Sequence, residues 1–107
     1  MSEHAQLDPE VIEMLLEDLP VQHRLFQQAL AQGDTNTARE QVHSIAGAAA
    51  FCKFIALADA ARAIEMHLHM KDVIPPGNAL KEMEQTLVHV IDTLVSQREN
   101  PKENDHG

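Results

Sequence analysis

The sequence predicts an all-α protein, an antiparallel four-helix bundle built as one domain. Three observations carry that expectation. Alanine, leucine, glutamate, glutamine and methionine are plentiful, while Trp and Tyr are absent and aromatics make up 3%, so helix formers abound and strand formers are few. Apolar residues recur at helical spacing in four separate stretches. The breaks between those stretches are short, and amphipathic helices joined by short connections pack as antiparallel neighbours. A chain of 107 residues supports a single core. Residues 1–107 are therefore one domain, with the ordered core expected over about 8–98 and a polar tail over 99–107.

The first helix opens at Asp8-Pro9-Glu10. Aspartate can cap a helix, proline suits its first position because an N–H there would have no partner, and glutamate complements the positive end of the dipole. The pattern runs to Gln32 and passes through Pro20. Proline inside a helix removes one hydrogen bond and crowds the preceding turn, so a break is the default expectation. Yet Ile12, Leu16, Leu19, Phe26 and Leu30, with His23 among them, hold one helical phase across it. An intervening loop would reset that phase, so one long helix kinked near Leu16 to Pro20 is expected.

Gly33-Asp34 then supplies a left-handed stop and a new N-cap. The second helix covers Thr35 to about Phe51. The third begins near Phe54 and runs to about Met70, with Leu57, Ala61, Ile64 and Leu68 inside. Pro75-Pro76-Gly77 breaks the chain, and Asn78 is placed to cap a fourth helix reaching about Gln97. Its apolar face comprises Leu80, Met83, Leu87, Val90, Ile91 and Leu94.

Charge and cysteine content narrow the function. With a formal charge of −9 and no basic cluster, the chain has no means of displacing counterions from nucleic acid or holding an anionic membrane surface. No signal peptide and no apolar run long enough to cross a bilayer are visible. The single cysteine, Cys52, cannot close an internal disulfide, and a buried free thiol fits a reducing compartment. A monomeric cytoplasmic protein is the expectation. A glycine-rich phosphate loop and an Asp-rich metal cluster are also missing, so neither kinase activity nor a cofactor of its own is expected.

The candidate chemistry lies at His43. On a helical wheel Ala38, Val42, Ile45, Ala49 and Cys52 form the inner stripe of the second helix, leaving His43, Gly47 and Ala50 on the wet side. Glycine inside a helix costs about 1 kcal/mol relative to alanine, so Gly47 needs a reason. One turn beyond the histidine it clears the approach to the ring, and Ala46 and Ala50 keep the surroundings low. Imidazole is a neutral nucleophile near physiological pH when one nitrogen attacks and the other holds its proton against an acceptor. That acceptor should come from the adjacent helix, where Glu65 lies at the edge of the apolar stripe. A carboxylate on Nδ1 would fix the tautomer and make Nε2 the better nucleophile.

The stretch Ala29-Leu30-Ala31-Gln32-Gly33-Asp34, followed by Val42-His43-Ser44-Ile45-Ala46-Gly47-Ala48-Ala49, resembles the histidine phosphotransfer (HPt) domain family of bacterial multistep phosphorelays. The resemblance covers most of the chain. It implies a four-helix bundle of HPt type in which a phosphoryl group shuttles between a receiver-domain aspartate and His43. It also implies a Glu or Gln 22 positions after the histidine, and 65 − 43 = 22 brings Glu65 to that place. The implied partners are a response-regulator receiver domain, which would bring the aspartyl phosphate and a divalent metal, and a hybrid sensor histidine kinase. The chain would be a free-standing carrier or one domain of such a kinase. Its docking surface is expected around His43, with Ala46, Ala50 and first-helix residues contributing.

Two positions depart from the family pattern. The usual lysine three residues after the histidine is Ala46, and the usual glycine ten residues after it is Lys53. Arg39, one turn before His43, or Lys53 is then the candidate for the missing positive charge. The absent lysine also leaves open an HPt-like binding module that sequesters a receiver or kinase without carrying phosphate. A third reading is a metal-binding bundle, prompted by Met66-His67-Leu68-His69-Met70. Residues two apart on a helix lie about 200° apart, so a helix with one buried face, holding no metal, is expected there. His23 is expected in the core or at its boundary, Cys52 in the core, and His4 and His106 in the exposed tails.

Overall fold

The computed structural model describes residues 7–71 and 75–99. They form four helices: α1 (Pro9–Ala31), α2 (Thr35–Phe51), α3 (Ile55–Lys71) and α4 (Gly77–Glu99). Both α1 and α3 pack against α2 and α4, which closes the four into a ring with up-down-up-down connectivity. Large side chains from every helix meet inside, among them Phe26 and Leu19 of α1, Ile45 of α2, Leu57 and Ile64 of α3, and Met83 and Leu94 of α4. Among the described residues no polar or charged side chain is buried with them. None of the described helices is long and apolar enough to cross a membrane.

The first helix runs unbroken through Pro20, as its phase requires. Its buried stripe is Ile12, Leu15, Leu19, Phe26 and Ala29, with Leu16 and Leu30 half-buried at the edge. Asp8 stands at the N-cap and its carbonyl accepts from Ile12 N at 3.0 Å, but its side chain makes no capping bond. His23 is half-buried and stacks on Phe26 with ring centroids 6.3 Å apart. Burial lowers its pKa, partly opposed by Glu84 of α4.

The α1–α2 turn is a Schellman cap. Asp34 N donates to Ala29 O at 2.8 Å and Gly33 N to Leu30 O at 3.1 Å, with Gly33 at φ 75°. Asp34 then starts α2 by accepting from Thr37 N at 3.1 Å, and hydrogen bonding from the Thr37 side chain, then its backbone, lowers the carboxyl pKa. The α2–α3 turn repeats the motif: Phe54 N donates to Ala49 O at 2.8 Å and Lys53 N to Ala50 O at 3.1 Å. Here the left-handed residue is Lys53, at φ 66°. A Cβ in that region is unfavourable by about 1 kcal/mol, and the two hydrogen bonds together with buried Phe54 hold it there.

Two boundaries differ from expectation. Asn78 does not cap α4. Pro76 O already accepts from Ala79 N and Leu80 N, so the helix begins at Gly77 and Asn78 falls inside its first turn. Helix α4 also extends to Glu99, and Leu7 N donates to Gln97 Oε1 at 3.3 Å, tying the residues just before α1 to this last turn. Residues 100–107, His4 and His106 lie outside the described residues. Cys52 is buried, and burial pushes its thiol pKa up, which favours the inert protonated form.

Candidate functional site

Helix α2 sorts its residues by face. Ala38, Val42, Ile45, Ala46 and Ala49 are all buried, none above 2% exposed, whereas the His43 side chain is 73% exposed. Gly47 lies on the open side one turn beyond the ring, and a methyl group added there would meet no heavy atom within 4 Å. Neither packing nor backbone conformation inside the domain requires glycine at this position. Ala50 is half-buried at the rim.

Ala46 is a correction. Expected to border the open approach, it is 2% exposed and belongs to the core. A residue three positions after His43 lies about 60° round the helix from it, on the side of Val42, and the burial of Val42 carries Ala46 inward. Its smallness serves packing. Ala46 and Ala49 of α2 and Ala58 and Ala61 of α3 are all buried, and short side chains at a helix interface allow the backbones to approach. The α2–α3 pair makes the most extensive helix contact in the bundle.

That packing brings Glu65 of α3 to His43. The Nδ1 and Oε2 atoms are 2.6 Å apart, with the Glu65 side chain 26% exposed. An ionised carboxylate only accepts hydrogen bonds, so the Nδ1–H of the ring donates. The ring is thereby held with its remaining lone pair on Nε2, the nitrogen away from Glu65. The contact is short and charge-assisted, and it joins two residues 22 apart in sequence.

The two candidate cations sit differently. Arg39 lies one turn before His43, at the i, i+4 spacing of helix surface neighbours, and donates from Nη2 to Asn36 Oδ1 at 3.3 Å. Lys53 does not share the site. It lies in the turn beyond α2, past eight residues of helix that alone rise about 12 Å from His43, and its backbone serves the end of α2.

The structure adds apolar residues that the sequence reading left as unspecified first-helix contributors. Met14, Val21 and Leu25 share one flank of α1 and are exposed, as is Phe51 near the end of α2. His23 and Leu30 line a hollow with Leu80 and Glu84 of α4, so the Met14–Leu25 flank faces the α2 side. Counting outward from the Gly33 turn, Val21 and Leu25 come level with the stretch from Gln41 to Ile45. Their spacing at i, i+7 and i+11, off the core phase, is the signal that could have marked them. Among the described residues no three of His, Cys, Asp or Glu gather as a metal-binding group.

The family model for the Hpt domain matches residues 10–100, and the chain belongs to the Hpt domain family. Membership puts it within histidine phosphotransfer in phosphorelays, among carriers that interact with receiver domains and are generally not kinases. No curated protein and no solved structure matches the chain.

Proposed function

We propose that His43 is the residue that accepts and donates the phosphoryl group, with Glu65 as its positioning residue. The observation that carries this reading is the 2.6 Å contact between His43 Nδ1 and Glu65 Oε2 on a ring otherwise open to solvent. In the forward step the Nε2 lone pair attacks the phosphorus of a receiver aspartyl phosphate. The N–P bond forms, the acyl P–O bond breaks, and the aspartate leaves as a carboxylate. The imidazole becomes cationic as it is phosphorylated, and Glu65 on Nδ1–H stabilises that charge where it develops. Reversal delivers the group to a second receiver. The divalent ion of the reaction belongs to the receiver, and this chain contributes nucleophile, orientation and surface.

Gly47 gives the incoming domain room beside the ring. Phe51 of α2 and Val21, Leu25 and Met14 of α1 supply further exposed apolar surface, suited to a packed helix of the partner. Arg39 is the cation placed to meet phosphoryl oxygens in the absence of a lysine at Ala46. The upstream donor is the receiver of a hybrid sensor histidine kinase, and such a relay works in the cytoplasm.

The reading is tested by incubating the protein with a panel of phosphorylated receivers from its source. At least one should yield acid-labile, base-stable phosphate on the protein, and His43→Gln should take up none. Tight receiver binding with no phosphate on the wild-type protein from any donor would instead support the sequestering module.

A further inference from the structure

The outer face of α3 carries a feature that phosphotransfer does not use. Met66 and Met70 are 61% and 70% exposed, and together with His67 and Ala63 they line a hollow of about 300 Å³. On a helix, residues three or four apart are surface neighbours with Cβ atoms about 5–6 Å apart, so Met70 neighbours both Met66 and His67. A helix with one buried face accounts for Leu68, which is sealed in the core. It leaves both methionines unexplained, because they lie on the opposite side. His69 lies about 200° round the helix from His67 and is not part of the hollow.

We propose that Met66, His67 and Met70 form a three-coordinate site for a soft monovalent cation of the copper(I) class. Thioether sulfurs are soft, polarizable donors that favour copper(I), and an imidazole nitrogen suits the same ion. All three donors lie within five residues of α3, the methionines exposed and His67 half-buried beside them, where their side chains can converge without disturbing the core. Ala63 leaves one side of the hollow free of a bulky side chain. Among the described residues no carboxylate or second histidine lines it, and two thioethers with one imidazole favour a soft ion over hard divalent ones. Buried Cys52, its thiol held toward the protonated form, offers no competing thiolate on the surface. Glu65 faces α2, on another flank of α3, so this site stands independently of the phosphotransfer reading.

The test uses the full chain, kept anaerobic, competing for copper(I) with the coloured bicinchoninate complex. Wild-type protein should withdraw copper(I), and the double variant Met66→Leu with Met70→Leu should lose at least tenfold in affinity. His67→Ala should weaken binding in the same direction, and His69→Ala should not. Leucine preserves helix propensity and nearly the same volume, and circular dichroism checks that the variants stay folded. Silver(I), a redox-inert probe, should shift the methyl NMR signals of Met66 and Met70 and leave that of Met14 in place. No withdrawal of copper(I) by the wild type, or equal withdrawal by the double methionine variant, overturns the proposal.

Discussion

The two faces of α2 follow opposite rules. Inward, Ala38, Val42, Ile45, Ala46 and Ala49 are sealed, and the small ones among them let α3 come close enough for Glu65 to meet His43 at 2.6 Å. Outward, His43 stands open beside a glycine whose missing side chain nothing in the domain requires. The inner face stabilises the bundle by burying apolar side chains. The outer face forgoes about 1 kcal/mol of helix stability at Gly47 with no compensating contact inside the domain. On the proposed function, a partner docking against the outer face accounts for that contrast.

The comparison can be broken in three places. The largest effect should come from the inner face: Ile45→Ala removes a fully buried side chain and should cost about 2–4 kcal/mol in urea unfolding. The fraction still folded should take up phosphate as the wild type does, because the change lies away from the ring. Gly47→Ala comes next and separates the two rules within one residue. It should raise stability by about 1 kcal/mol while slowing transfer from a receiver at least severalfold. A variant that is stabilised with transfer unchanged would remove the partner from the explanation of Gly47. The smallest effect is expected at Lys53→Gly, which relieves the left-handed lysine and should stabilise by about 0.5 kcal/mol. Transfer should be unaltered, and a slower rate would restore Lys53 as a source of charge.

Much of this arrangement is legible in the sequence where a single local rule decides. The Gly33-Asp34 turn is one case, since a left-handed stop and an N-cap need those residue types and nothing distant. The unbroken α1 is another, because helical phase survives across Pro20. The pairing of His43 with Glu65 was reachable from the edge position of Glu65 and from the family spacing, but its distance depends on how closely two alanine-lined helices pack. What escaped the sequence depends on which flank of a helix has a neighbour. Ala46 lies between the wet and dry sides of the wheel, and only packing decides that it is buried. The side chain of Lys53 does not signal its left-handed backbone, which the family's usual glycine at that position does, and which the hydrogen bonds of Phe54 and its own amide impose. Met66 and Met70 are apolar by type and exposed by position, a combination that residue identity alone does not reveal.

The most direct measurement is nitrogen-resolved imidazole NMR of the protein after phosphorylation by its receiver. With Nδ1 held by Glu65, the phosphorus should couple to Nε2 of His43, and Nδ1 should remain protonated. Phosphate on Nδ1 of His43, or on any other residue, would contradict the assignment of His43 and Glu65 as nucleophile and positioning group.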